Sequence, residues 1–222
     1  MSNPWQAIRQ VFRRRSGSAG RYTGLEIDRA AIARGDYKQH LGGGSESWEQ
    51  RGLFQLRLLQ SRGLSPRSTL LDIGCGPMRA GAHFVRYLEA GRYVGFDYNA
   101  SFVEAARFVI AEQGLADKAP TVLQVQDFDF RSLNRRFDFA IAFSVLNHCD
   151  HVQRDLFLRN IRDCLEPGAQ LYVSHAGWLN EAHLALAGLR IRHSFDAAEL
   201  KLEDNGWDNR EEVLPLYELA PA

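Results

Sequence analysis

The chain has 222 residues, of which 45% are hydrophobic and 24% are charged, enough to bury one sizeable core. Its 27 Lys and Arg residues balance its 27 Asp and Glu residues, so the formal net charge is zero, which argues against a general nucleic-acid or polyanion binder. Its three cysteines form neither a disulfide framework nor the paired spacing of a metal site. Because no apolar run reaches membrane-spanning length and no signal peptide is visible, we expect a cytoplasmic protein.

The N-terminal segment, residues 1–63, is predicted to form a helical arm and lid. Trp5, Ile8 and Phe12 fall at helical spacing and predict an amphipathic helix over residues 4–15. A weaker helix is predicted over residues 25–39 and a stronger one over residues 46–62, which ends at Gly63.

Arginines are concentrated at the start of this segment. They are Arg9, Arg13, Arg14, Arg15, Arg21, Arg29 and Arg34. A solvated helix face is the simplest explanation of this charge, and contact with an anionic membrane surface or an anionic substrate is the alternative.

From residue 64 to residue 222, strands alternate with helices. Strands are predicted at Thr69–Ile73, Arg92–Phe96, Thr121–Val125, Phe137–Ser144 and Ala169–Ser174. Helices are predicted at about 79–89, 101–113 and 151–165, with capping boxes from Ser101 to Glu104 and from Asp150 to Gln153. Near-continuous apolar strands that alternate with helices indicate an α/β fold with a doubly wound parallel sheet.

Acidic residues end the first three strands of this region. Asp72 precedes a turn that contains Gly74 and Gly76, and glycines there let a ligand approach the backbone ahead of a helix. Asp97 ends the second strand, where a carboxylate can accept hydrogen bonds from ribose hydroxyls. Asp127 ends the third strand, next to Phe128. Because the carboxyl ends of parallel strands meet at one edge, the pattern predicts a site for a nucleoside-bearing ligand.

The glycine spacing separates two kinds of nucleoside site. The dinucleotide fingerprint requires a third glycine where this chain has Arg79, so a pyrophosphate site is poorly supported. The arrangement Asp72-x-Gly-x-Gly instead resembles motif I of the class I S-adenosylmethionine-dependent methyltransferases. The resemblance implies a Rossmann-like, mostly parallel sheet flanked by helices, with S-adenosylmethionine as cofactor. The stretch His40–Trp48 is also similar to the N-terminal lid of bacterial members that act on small polar acceptors.

The resemblance carries the family's cofactor contacts onto residues of this chain. It implies that Asp97 binds the ribose, that Asp127 faces the adenine amino group and that Phe128 lies beside the adenine. The full set of expected cofactor-binding residues is Asp72, Gly74, Cys75, Gly76, Asp97, Tyr98, Asp127, Phe128 and Ser144. Asp138, at the start of the fourth strand, is expected to have a structural role instead.

The expected reaction is a direct displacement of the cofactor's methyl group by a small polar acceptor, with a base where the acceptor must lose a proton. His148, after the fourth strand, is the first candidate base because imidazole titrates near neutral pH, and His175, after the fifth strand, is the second. Asp150, beside His148, has a capping role, so we predict no metal site. Ser144–Asn147 lacks the proline motif of amino-methylating enzymes that act on nucleobases or glutamine, which argues against that class. Among small-molecule acceptors, oxygen is favoured over nitrogen because a nearby histidine base helps hydroxyls most.

Two alternatives stay open at this stage. One is a nicotinamide-dependent oxidoreductase on the same fold, and the other is a non-catalytic protein that binds the cofactor or a partner. The chain also departs from the family at its end, where two antiparallel strands are expected. Either the last strand is very short or Leu189–His193 supplies one of the pair.

Overall fold

The computed structural model describes residues 12–14, 25–42, 45–126, 128–201 and 210–222. Nine strands are described in these ranges: β1 Phe12–Arg14, β2 Leu25–Ile27, β3 Leu70–Ile73, β4 Tyr93–Asp97, β5 Thr121–Gln124, β6 Phe137–Ala142, β7 Leu165–Val173, β8 Leu189–Ser194 and β9 Tyr217–Pro221. Seven of them form the main sheet in the order β5-β4-β3-β6-β7-β9-β8. Strands β3 to β7 run parallel, and β9 is antiparallel to both β7 and β8.

This topology confirms the predicted α/β fold with a doubly wound, mostly parallel, Rossmann-like sheet. The open question about the end of the chain also has an answer, because Leu189–Ser194 is an edge strand and pairs with Tyr217–Pro221. The chain therefore has the terminal antiparallel pair of strands that the resemblance implies.

Helices cover the sheet and precede it in the chain. They are α1 Arg29–Arg34, α2 Tyr37–Gly42, α3 Ser45–Ser61, α4 Gly81–Tyr87, α5 Ala100–Glu112, α6 His151–Ile161 and α7 Glu181–Ala187. The predicted capping box of Asp150 and Gln153 is confirmed at the start of α6. At α5 the prediction is wrong, because the side chain of Asn99, not that of Ser101, caps the helix. None of the described helices is both long and apolar enough to cross a membrane.

The first described residues differ from the predicted helices. Phe12–Arg14 and Leu25–Ile27 pair as antiparallel strands, so helix predictions for 4–15 and 25–39 are wrong at these positions. The physical reason at Ile27 is tertiary: its side chain is buried and its N–H donates to Ser101 Oγ at 3.1 Å. Asp28 then accepts a hydrogen bond from the Ala31 N–H and starts α1. Residues 1–11 and 15–24, which carry part of the basic arm, lie outside the described residues.

Helix α3 belongs to the same core as the sheet. Its buried residues Phe54, Leu58 and Leu59 are in one hydrophobic cluster with Leu70 of β3 and Tyr93 of β4. A second cluster covers the opposite sheet face and contains α6 residues. Apolar burial on both faces is what a doubly wound sheet requires.

A glycine sets how closely α3 approaches the turn after β3. A Cβ atom at Gly52 would lie 2.2 Å from the Arg79 carbonyl oxygen and 2.8 Å from His83 Cδ2. A backbone oxygen has little freedom to move away, so only glycine fits at this contact. The side chains of α3 on either side of Gly52 are therefore held against the carboxyl edge of the sheet.

We predict that Gly52→Ala destabilises the protein by about 1–3 kcal/mol, as overpacking does, measured by urea unfolding. Helix propensity alone would make the same change stabilising by about 1 kcal/mol. The sign of the change in unfolding free energy therefore distinguishes the packing effect from helix propensity. The matched control is Gly177→Ala, where the nearest atom to the new Cβ is Pro215 Cγ at an ordinary 3.6 Å. A stabilising effect of Gly52→Ala would contradict the packing described here.

Candidate active site

A cavity of about 330 Å³ lies at the carboxyl edge of the sheet. The turn after β3, the ends of β4, β6 and β7, and helix α3 form its wall. It brings together every described residue that the sequence marks as cofactor-binding or catalytic: Asp72, Gly74, Cys75, Gly76, Asp97, Tyr98, Phe128, Ser144, His148 and His175. Asp127 lies outside the described residues. The expected convergence of strand ends is therefore present.

Asp97 holds the glycine turn in place. Its Oδ2 accepts a hydrogen bond from the Gly76 N–H at 3.0 Å, and its Oδ1 accepts one from the Asn99 N–H at 2.8 Å. Burial raises the pKa of Asp97 to about 6, although the backbone hydrogen bonds from Asn99, Gly76 and Tyr98 oppose the shift. The carboxylate is thus fixed at the place where a ligand would meet both it and the turn.

The two glycines of the turn serve different needs: Gly74 packs against Val145, and Gly76 leaves room for a ligand. Both have a positive φ, +70° at Gly74 and +53° at Gly76. A Cβ at Gly74 would lie 2.5 Å from Val145 Cγ2, whereas one at Gly76 would meet nothing within 4 Å. The space in front of Gly76 is therefore open cavity, and its backbone can be approached closely, as a polar cofactor requires.

Asp72 lies below the turn. Its Oδ2 accepts a hydrogen bond from the Tyr93 hydroxyl at 2.8 Å, and the side chain is almost completely buried. Burial raises the pKa of Asp72 to about 7; the nearby Asp97 charge adds to the rise, while the Tyr93 hydrogen bond and the Arg79 charge oppose it. Asp72 is therefore held against Tyr93 of β4 at the edge of the cavity.

An aromatic group lines the side of the cavity where β5 ends. The Phe128 ring makes edge-to-face contacts with Phe96, at a centroid distance of 6.3 Å, and with Phe157, at 5.4 Å. Phe102 and Val125 line the same cavity and are buried. These apolar surfaces suit the flat ring of a nucleobase.

His175 is held by hydrogen bonds at the ends of β6 and β7. Its Nδ1 lies 3.0 Å from Ser174 Oγ and 3.4 Å from Ser144 Oγ. Ser174 Oγ in turn accepts the Ser144 N–H at 2.8 Å. Burial lowers the pKa of His175, and the charge of Arg51 lowers it further against the opposing effect of Glu212. The imidazole is therefore predominantly neutral at neutral pH.

His148 ends a short 3₁₀ helix, Leu146–His148, after β6. It is half-buried, and its Nε2 lies 3.4 Å from Asn147 Nδ2. The Oδ1 atom of Asn147 is buried and accepts no hydrogen bond from any described residue. In the ranges that the structure describes, no three His, Cys, Asp or Glu side chains are placed to hold a metal ion.

Helix α3 and the turn after β3 add residues that sequence reasoning did not assign to the site. Trp48, Arg51 and Gln55 of α3 line the cavity, together with Arg79. The sequence contained a signal for them, because Arg51 and Gln55 are one helical turn apart, on the apolar stripe that carries Trp48. In the sequence, Arg79 stands out only because it replaces the third glycine of the dinucleotide fingerprint.

A family model described as "Methyltransferase domain" matches residues 71–171. Residues 71–171 therefore form a methyltransferase domain. The predicted resemblance to S-adenosylmethionine-dependent methyltransferases is confirmed, and the methyltransferase interpretation is preferred over the oxidoreductase alternative. The matched residues run from β3 into β7 and include the glycine turn, Asp97 and His148. No curated protein matches the sequence.

Several solved structures of methyltransferases resemble the domain. Magnesium protoporphyrin IX methyltransferase from Synechocystis PCC 6803, with bound S-adenosylmethionine, has a TM-score of 0.60 at 15% identity over 87% of this chain and 95% of that chain. The glycopeptide N-methyltransferase MtfA, complexed with the same cofactor, has a TM-score of 0.59 at 16% identity over 77% and 94%. The mitomycin 7-O-methyltransferase MmcR has a TM-score of 0.57 at 18% identity over 87% and 60%. At these identities the likeness shows a shared fold.

The buried Asp72 predicts a pH dependence of stability. Because its folded-state pKa is raised to about 7, its contribution to stability is full at acidic pH and is lost as pH rises through that value. We predict that the unfolding free energy of the wild type falls relative to that of Asp72→Asn, by about 1.4 kcal/mol for each pH unit between about pH 5 and pH 7. Urea unfolding of both proteins across this range measures the difference, and parallel curves would contradict the assignment.

Proposed function

We propose that the protein binds S-adenosylmethionine in this cavity and transfers its methyl group to the oxygen of a small polar acceptor. The observation that carries the proposal is the pair of hydrogen bonds that fixes Asp97 against Gly76 and Asn99, at 3.0 and 2.8 Å. A carboxylate fixed next to an open glycine turn is suited to a ribose on one side and a polar amino-acid tail on the other.

In this proposal each part of the cavity contacts one part of the cofactor. The ribose hydroxyls donate to Asp97, and the methionine portion lies along the turn from Gly74 to Gly76. The adenine lies against Phe128, with Asp127 toward its amino group as the family resemblance implies. Tyr98 and Ser144, which also line the cavity, complete the proposed cofactor contacts.

The cofactor supplies a methyl group on a positively charged sulfur. As the acceptor oxygen attacks, the new C–O bond forms while the C–S bond breaks, the sulfur keeps the electron pair, and the acceptor proton must go to a base. The protein's contribution is to align the acceptor, to exclude water and to receive that proton. Asn147 Oδ1, buried without a described partner, is suited to accept a hydrogen bond from a second donor group of the acceptor, which leaves the proton of the reacting hydroxyl for the base.

His148 is the proposed base. It lies beside Asn147 on the cavity wall, so the residue that orients the acceptor and the residue that takes the proton of its reacting hydroxyl are neighbours. The ring of His175 is already held at Nδ1 by Ser174 Oγ, and we propose that it keeps the ends of β6 and β7 in place or acts as a secondary base.

We predict that Asp97→Asn weakens binding of S-adenosylhomocysteine by about tenfold to a hundredfold, because hydrogen bonds to a charged carboxylate are lost. Isothermal titration calorimetry measures the affinity. Asp117→Asn, an exposed aspartate remote from the cavity residues, is the control and should bind as the wild type does. Absence of binding of S-adenosylmethionine and S-adenosylhomocysteine to the wild type would overturn the proposed function.

We predict that His148→Ala retains cofactor affinity but lowers turnover by about 10²–10⁴-fold, the usual contribution of a general base. The assay is formation of S-adenosylhomocysteine across sugars, carboxylic acids, phosphonates and phenols. His151→Ala, in the exposed first turn of α6, is the matched control. Unchanged turnover of His148→Ala with an accepted substrate would remove this residue from the mechanism.

A further inference from the structure

The part of the cavity wall at α3 and at the end of β7 comes mainly from parts of the chain outside the matched residues 71–171. Trp48, Arg51 and Gln55 of α3 line it, and so does His175, which follows β7. In the proposed orientation the ribose lies at Asp97, at the end of β4, whereas the charge of Arg51 acts on His175, beyond β3 and β6 in the sheet, so the wall at α3 is assigned to the acceptor. Its chemistry therefore indicates which acceptors fit.

Two arginines line the cavity here, Arg51 on α3 and Arg79 just after the glycine turn. Arg79 donates from Nη1 to the Leu41 carbonyl oxygen at 3.1 Å, and its Cζ lies 5.7 Å from the centroid of the Trp48 ring. Arg51 directly precedes Gly52, which packs against the backbone carbonyl of Arg79. Both groups are half-buried and, as guanidinium ions, keep their charge at every relevant pH.

The ion pair between Arg51 and Glu212 does not remove this positive character. Glu212 Oε2 lies 2.9 Å from Arg51 Nη2, but the Glu212 side chain is 50% exposed while that of Arg51 is 26% exposed. An ion pair that faces solvent on its acidic side contributes little and can exchange for a carboxylate bound inside the cavity. The arginine charges also act on their neighbours. The charge of Arg51 contributes to lowering the pKa of His175, and the charge of Arg79 opposes the rise in the pKa of Asp72.

Apolar and neutral polar groups surround the two arginines. Trp48 and Phe143 line the cavity and are buried, so a small apolar body would have a surface to pack against. Gln55 is also buried, and its Nε2 donates to the Arg51 carbonyl oxygen at 3.3 Å. The cavity thus places two cationic side chains next to the apolar surfaces of Trp48 and Phe143.

We infer that the acceptor is a small organic oxyanion, a carboxylate or a phosphonate, whose charged group binds Arg51 and Arg79 while its hydroxyl faces His148. This inference rests on the proposed function, because the position of the cofactor defines the acceptor side. Guanidinium groups bind both kinds of oxyanion through paired hydrogen bonds, which explains why arginines are suited to this wall.

The test is calorimetric titration of the protein saturated with S-adenosylhomocysteine. The probes are 4-hydroxybenzoate, phenylphosphonate and the neutral 4-hydroxybenzamide. We expect one or both oxyanions to bind at least about tenfold more tightly than the amide, as expected for hydrogen bonds to a charged group. The preferred oxyanion distinguishes a carboxylate acceptor from a phosphonate acceptor.

Variants test whether the two arginines cause the tighter binding of the oxyanions. Arg51→Gln and Arg79→Gln should each weaken the oxyanion by about tenfold or more while S-adenosylhomocysteine binding is unchanged, and Arg51→Lys should weaken it less. Arg57→Gln, on the exposed side of α3, should have no effect. If Arg79→Gln does not fold, the two Arg51 variants decide the question.

Three results would overturn the inference. The first is equal affinity for the amide and the oxyanions. The second is no oxyanion binding to the S-adenosylhomocysteine complex. The third is loss of S-adenosylhomocysteine affinity in the folded arginine variants, because that result would assign the arginines to the carboxylate of the cofactor. Failure of the wild type to bind S-adenosylhomocysteine would instead overturn the proposed function itself.

Discussion

The hydrogen bond from the Gly76 N–H to Asp97 is the interaction on which the candidate site depends. It joins the turn after β3 to the end of β4, so two neighbouring strand ends form one surface. The same carboxylate accepts the Asn99 N–H, and the Asn99 side chain caps α5. Burying Asp97 is costly for the charged form, and the fold offsets that cost with backbone hydrogen bonds rather than with a cation.

The cavity divides into two halves with different origins in the chain. The half with the glycine turn, Asp97 and Phe128 lies within the matched methyltransferase domain. The other half depends on α3, which shares the sheet's hydrophobic core and is brought close by Gly52. An enzyme fold can in this way keep one cofactor half while the acceptor half varies with the segments added around it.

Sequence reasoning was most successful where the signal is local in the chain. Asp72, Gly74, Gly76 and Asp97 could be predicted because strand ends and turns impose fixed residue types at short spacing. Asp138, at the start of β6, was also expected from its position in the strand to have a structural role. Its Oδ2 accepts hydrogen bonds from the Thr69 N–H and hydroxyl at 2.8 and 2.9 Å. Its expected structural role is supported by these bonds.

The errors and omissions arise from contacts between distant segments. No periodic pattern in the sequence predicts that Phe12–Arg14 pairs with Leu25–Ile27. Nor does any pattern predict that the Ile27 N–H donates to Ser101 Oγ. Arg79 lines the cavity beside α3, where Gly52 packs on its backbone carbonyl, a contact that no local pattern encodes. Tertiary contacts of this kind override local propensity in short strands and place side chains in a site.

We propose that the open turn at Gly76 and the adjoining Asp97 bind S-adenosylmethionine. The most direct measurement is the backbone amide NMR spectrum of the ¹⁵N-labelled protein during titration with S-adenosylhomocysteine and, separately, with NADH. We expect S-adenosylhomocysteine to shift the amide signals of Gly76 and Asn99 to saturation and NADH to leave them unchanged. Unchanged signals with S-adenosylhomocysteine, or saturating shifts with NADH alone, would rule out this binding site.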